Sequence, residues 1–147
     1  MKGKSVTPKD KLKLEQISKM VNHQGDYCDY GCSEEMVNKM ISLAKEMFPN
    51  KPCCVVGRWC WVDIELEPQD EIALMTAGLN PSFIYASRVI SDDRQRWEEN
   101  TCIRTTLLQK FHHQSIFSSQ NTHYILCGPG VRISVIPAVY SDLTLYG

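Results

Sequence analysis

The last third of this chain is almost free of charge. Among residues 101–147 only Arg104, Lys110, Arg132 and Asp142 are charged, against 29 charged residues in the first 100. β-Branched, aromatic and hydroxyl side chains fill the segment, punctuated by Gly128-Pro129-Gly130. Such a composition describes a sheet that is either well buried or kept uncharged because something docks on it. It locates a binding end of the molecule and names no chemistry.

Before that segment the chain reads as helices followed by strands. Thr7 is a natural N-cap, with Pro8 at the first helical position and Asp10 favouring the helix dipole. Leu14, Ile17 and Val21 then recur at helical spacing up to a stop near Gly25. Ser33 caps a second predicted helix, whose broad apolar face carries Met36, Val37, Met40, Ile41, Ala44, Met47 and Phe48 before Pro49-Asn50 ends it. Residues 53–66 read as one long strand. Strict alternation puts Cys54, Val56, Cys60, Val62, Ile64 and Leu66 on one face, broken only by Arg58, and Trp59, Trp61, Asp63 and Glu65 on the other. A short helix is predicted over 68–77.

Strands are then predicted near 83–90, 101–111, 116–117, 122–127 and 131–136, with a last extended piece at 144–146. Turns fall at 91–93, 112–114, 119–121 and 128–130. Short strands joined by short turns imply antiparallel pairing. The expected class is α+β, a single domain over 1–147 in which a helical part (1–50) packs on a curved antiparallel sheet or partial barrel (53–147).

At 147 residues, with 43% hydrophobic and 22% charged side chains, the chain is long enough for a real core and ordinary in composition for a globular protein. No apolar run is long enough to cross a bilayer, and the Lys-rich start leads into no signal-like apolar stretch. The expectation is a cytoplasmic protein with no membrane partner. The net charge of −1 hides a gradient from about +4 over residues 1–20 to about −4 over residues 51–100. Only the first helix therefore offers a basic footprint for nucleic acid.

Seven cysteines without a secretory signal read as reduced thiols. Cys28 and Cys32 flank a polar loop and, with His23 and the Cys53-Cys54 pair, are the candidates for a thiolate zinc site. The spacing is looser than zinc motifs use, and adjacent strand residues point to opposite faces, so no cofactor is expected. His112, His113 and His123 have no carboxylate near them in sequence, and no nucleophile-elbow, Walker or HExxH pattern occurs. Gly128-Pro129-Gly130 is no phosphate cradle, because proline has no N–H to offer.

The arginines carry more information. Arg88 and Arg104 lie inside otherwise apolar strands, with Asp92, Asp93, Glu98 and Glu99 close enough in sequence to pair with them. Unpaired, each is a forked donor for a carboxylate or phosphate on a partner. Trp59, Trp61, Trp97 and Phe111, with Arg58, Arg88 and Arg104, have the composition of a binding hot spot.

Residues 83–132 contain Arg104-Thr105-Thr106, Phe117, Asn121-Thr122-His123-Tyr124 and Gly128-Pro129-Gly130-Val131-Arg132. In these the chain resembles a family of small uncharacterised bacterial and prophage proteins, a domain of unknown function, over about residues 53–133. The resemblance implies a shared fold and a bacterial or phage setting and implies no activity; Asn121, Tyr124 and Arg132 stand with the binding candidates.

Together these readings describe a non-enzymatic binding protein of a bacterium, phage or mobile element. It would work through a protein–protein surface on a host protein or complex, as an anti-CRISPR-like inhibitor of host defence does. One alternative is a small enzyme acting on a nucleotide or nucleic acid through Arg88, Arg104 and a histidine. Another is a nucleic-acid binder using the Lys-rich first helix. The near-neutral sheet also suits a homodimer seam.

Overall fold

The computed structural model describes residues 6–143. Helix α1 (Pro8–Val21) starts as its sequence dictates, with the Thr7 hydroxyl accepting from the Asp10 amide at 3.0 Å. A short strand β1 (Asp26–Cys28) follows, then a 3₁₀ turn (Glu34–Met36) leading into α2 (Val37–Met47). Strand β2 (Cys53–Ile64), helix α3 (Pro68–Thr76) and strand β3 (Ser82–Asp92) form the middle of the chain. Then come β4 (Ile103–Arg104), β5 (Lys110–His112), β6 (Ile116–Ser118), β7 (His123–Leu126), β8 (Gly130–Val135) and α4 (Pro137–Asp142).

The class is α+β, as the sequence predicts, with all eight strands in one curled half-barrel sheet. The sheet is mixed where the turns implied it would be antiparallel. One edge of β2 pairs along its length with β3, antiparallel. The other edge is shared: Cys53–Val56 run parallel to β7, and Cys60–Ile64 run parallel to β8. The turn at 128–130 therefore reverses nothing; it joins two strands that travel in the same direction along β2. Short-range turn signals could not reveal this, because a parallel pair is joined by a long crossover, here the whole stretch from α3 to β6.

The branch point has a local cause. Arg58 is exposed with φ of 49°, and Ile90 on β3 is an extra residue opposite Val55 and Val56. A left-handed residue inverts the side-chain alternation, as a bulge does. Cys54 and Val56 therefore share a face with Trp59 and Trp61, while Cys53 and Val55 share the opposite one with Cys60, Val62 and Ile64. Simple alternation, which grouped Cys54 with Cys60, fails at this residue.

The opposite face is covered by helices in two patches. Met20 of α1 and Val139 of α4 close over Cys60, Val62, Phe83 and Tyr85. Met40 and Ala44 of α2 close over Cys53, Val55, Ile116 and Ile125. Burying side chains the size of Met20 and Met40 contributes about 1.5–3 kcal/mol each. The face without helices encloses its own core of Trp59, Trp61, Ile84, Phe117, Tyr124 and Leu126. That core uses most of the aromatic residues that made this surface look like a hot spot.

Two further differences concern the charge-poor segment. The predicted strand over 101–111 is broken into β4, an isolated bridge from Leu108 to Asn80 and the start of β5; at the first break the Thr105 hydroxyl, in place of a backbone carbonyl, accepts from the Ile84 amide at 2.9 Å. Residues 137–142 are helical, begun by Pro137 after an extended Ile136. The predicted extended piece at 144–146 lies outside the described residues.

Candidate functional site: the Arg132–Tyr30 face and the edge of β1

The parallel register of β2 and β8 sets Trp61 beside Arg132. Two residues further along β2, on the same face, the Asp63 carboxylate accepts from four groups. They are Arg132 Nε at 2.7 Å, the Arg132 guanidinium NH2 group at 3.2 Å, Trp61 Nε1 at 3.1 Å and Ser82 Oγ at 2.9 Å. Asp63 holds Arg132 firmly charged, raising its pKa further. The guanidinium carbon lies 5.3 Å from the Trp61 ring centroid and 6.0 Å from that of Tyr30.

Behind this cation the aromatic rings form a graded stack. Buried Phe117 meets buried Trp61 edge-on at 5.3 Å, and Trp61 meets half-buried Phe111 at 4.8 Å. Tyr30 touches both, at 5.3 Å from Trp61 and 4.8 Å from Phe111. Edge-to-face contacts of this kind fix ring orientation. The outer members, Tyr30 and Arg132, therefore stand on a rigid base.

Beside them runs β1. It pairs with β8 alone (Asp26 opposite Arg132, Cys28 opposite Gly130), so among the described residues its other edge has no strand partner. Tyr27 at its centre is 75% exposed. Three open pockets of 450, 380 and 250 Å³ follow the strand. The first shares Asp26 and Arg132 with the second, and the second shares Tyr27, Asp29 and Tyr30 with the third, so they form one furrow from α1 to Pro129. Glu15, Asp26 and Asp29 line it with no cationic group within salt-bridge distance among the described residues, while Arg132 is matched by Asp63. Lys19 is the one further cation on its wall, which leaves carboxylates in surplus.

The residues singled out from the sequence do not share one surface. Trp61, Phe111 and Arg132 meet at this face. Trp59 is wholly buried beneath it, with Nε1 donating to the Gly128 carbonyl at 2.8 Å. Tyr124 is also wholly buried. Trp97 lies under the Arg96 guanidinium at 4.3 Å, beyond the far end of β3, and Asn121 is exposed beside Arg96 on another pocket. Arg58 and Arg88 are exposed near the kink in β2. Arg104 packs its guanidinium on the Tyr140 ring of α4 at 4.3 Å, and its one side-chain hydrogen bond among the described residues goes to the Thr105 carbonyl at 3.4 Å. The acids expected to pair with Arg88 and Arg104 do otherwise: Asp92 binds Arg96 in a two-pronged pair, and Asp93 binds Lys45.

Cys28 is buried in the strand-lined core, whereas Cys32 sits opposite Cys127 in an isolated parallel bridge. Cys53 and Cys54 point to opposite faces. No group of three or more potential metal ligands converges among the described residues. No helix among them is long and apolar enough to cross a membrane.

Sequence reasoning passed over Asp63, Tyr30 and β1. A signal for Tyr30 is present in the Asp26-Tyr27-Cys28-Asp29-Tyr30 run, where acids and tyrosines recur on either side of Cys28. Nothing local marks Asp63 as the hub, because its partners come from residues 82 and 132.

No curated protein and no solved structure matches the chain. A family model described as a domain of unknown function, DUF6957, matches residues 29–141. The match takes in Tyr30, Asp63, Phe111 and Arg132, extends beyond the sequence resemblance to α2 and most of α4, and leaves α1 and β1 outside. The chain belongs to this family, the domain of unknown function DUF6957.

Proposed function

We propose that this protein is a non-enzymatic binding protein that takes an extended, basic segment of a partner protein along the free edge of β1. The observation that carries the reading is the unpaired edge itself, lying in a furrow whose unmatched charges, Lys19 aside, are carboxylates. An exposed edge offers backbone N–H and C=O groups at strand spacing, which an incoming strand completes. Asp26 and Asp29 would attract its Lys or Arg side chains, and Tyr27 and Tyr30 supply aromatic faces for them. Arg132, fixed by Asp63 on the Trp61 stack, orients that wall and is the anchor most resistant to displacement. On the resemblance drawn above, the partner is a host protein of a bacterium or phage, and occupying its segment is how an inhibitor of host defence would act.

Short extended peptides rich in lysine, and matched peptides rich in glutamate, test this by titration followed in amide NMR spectra. The lysine peptides should shift the amides of residues 26–30 and bind at least tenfold less well to the Asp26→Lys/Asp29→Lys double variant, a loss of about 1.4 kcal/mol. Equal binding of both peptide classes, or shifts confined to other strands, would overturn the reading. A dimer in sedimentation that Asp29→Lys dissociates would replace the foreign partner with a second copy of the chain.

A further inference from the structure

On another part of the molecule the charge balance is reversed. Two pockets, of 540 and 230 Å³, meet where α2 runs into β2, and Phe48 and Lys51 line both. Arg94 and Arg96 stand on the wall of the larger pocket and Lys110 and His112 on that of the smaller. Arg96 is matched by Asp92, and neighbouring Lys45 by Asp93. Lys51, Arg94 and Lys110 have no carboxylate within salt-bridge distance among the described residues; Lys51 Nζ donates to the Ser119 carbonyl and Arg94 to that of Asn50. Lys51 is drawn partly out of water, which lowers its pKa, so burial is being spent on an uncompensated cation.

One observation beyond charge points to a ligand. Phe48 is 50% exposed in the middle of the cleft, held by the Lys51 ammonium at 4.9 Å and by the His123 ring at 6.0 Å. A half-exposed aromatic between unpaired cations is the arrangement that a base and its flanking phosphates would use.

We propose that this cleft binds single-stranded nucleic acid, with phosphates on Lys51, Arg94 and Lys110 and a base packed on Phe48. Every base has a π face, so such a site is tolerant of sequence. Three phosphate contacts give a slope of log affinity against log salt of roughly −2 for a single strand. The site is separate from the β1 furrow and stands or falls without it. It also differs from the basic footprint that the sequence offered, which lay on α1.

The test is fluorescence anisotropy with end-labelled oligo(dT) and oligo(rU), a duplex of the same length, and variants checked for unchanged melting. Both single strands should bind at low salt with the slope given above. Lys51→Glu/Lys110→Glu should weaken binding at least tenfold, and Lys11→Glu on α1 should leave it unchanged. Should the double variant fold poorly, Arg94→Glu on its exposed loop takes its place with the same expectation. Absence of binding, equal affinity for the duplex, binding unaffected by the cleft variants, or loss on Lys11→Glu would each overturn the proposal.

Discussion

Gly130 lies flat against the indole of Trp59. A Cβ at residue 130 would stand 2.5 Å from Cδ2 and Cε3 of that ring and 2.5 Å from the Trp59 carbonyl oxygen. The glycine is there because β8 must approach β2 closely where the sheet branches, over a tryptophan that is wholly buried. Gly130→Ala therefore forces backbone or ring to move in a close-packed core, a cost of about 1–3 kcal/mol. A fall in the urea midpoint with an unchanged m-value would show it. Gly78, with φ of 78° and no atom near its Cβ position, serves as the control: Gly78→Ala carries backbone strain alone, about 1–2 kcal/mol.

Asp63 organises Arg132 more than it stabilises the fold. The pair is 42% and 29% exposed at its side chains, so its own worth is a surface value of up to about 1 kcal/mol. Arg132→Lys keeps the charge but loses the two-pronged grip on the carboxylate. It should leave stability nearly unchanged while weakening lysine-peptide binding along β1. Asp63→Asn should do more, since Trp61 Nε1 and Ser82 also donate to that carboxylate. A changed Trp61 fluorescence on Asp63→Asn, with little change on Arg132→Lys, separates the two.

The helices were legible in the sequence because their signals are local: Thr7-Pro8 begins α1, and the stripe including Met40 and Ala44 fixes the buried face of α2. The sheet was legible in composition but not in topology. The parallel pairings of β2 with β7 and β8 join residues about 70 apart in the chain, and no turn residue encodes them. Arg58 shows the second limit. Its left-handed backbone inverts the facing of everything after it, so Trp59 and Trp61, which strict alternation sets opposite Cys54 and Val56, lie with them in the enclosed core. The candidate site was half visible: Trp61, Phe111 and Arg132 were named as side chains of the right type, whereas Asp63 and Tyr30 acquire their roles from contacts across the sheet.

The cysteines should fall into well-separated reactivity classes. Cys102 is exposed, whereas burial pushes the thiols of Cys53 to about 11 and of Cys54 and Cys60 to about 12. Cys32 and Cys127 are half-buried, and burial also raises both. A thiol reagent at neutral pH should modify Cys102 first and Cys32 and Cys127 more slowly. It should reach Cys53, Cys54 and Cys60 only when denaturant unfolds the protein, because the thiolate is the reacting form. Mass mapping of the labelled peptides would check the order, and early labelling of Cys54 or Cys60 would contradict the enclosed core.

His123 should give the protein an acid-sensitive stability well above the carboxylate range. Its ring is wholly buried, with Nδ1 2.6 Å from Ser118 Oγ and Nε2 without a hydrogen-bond partner among the described residues. Burial first, and then the positive charges of Lys51, His112 and Lys45, lower its pKa from 6.5 to about 4. The folded state thus refuses a proton that the unfolded chain accepts, and folding loses stability wherever the unfolded chain binds more protons. Stability is complete above about pH 6.5 and declines as pH falls toward 4, where the loss levels off at about 3 kcal/mol for a shift of this size. His112, lowered by burial and then by His113, Lys110 and Lys51, adds to the same slope. Urea unfolding at a series of pH values should show this decline, and His123→Gln should flatten most of it. A ring signal titrating near 6.5 in the native protein would mean that His123 is not enclosed as described.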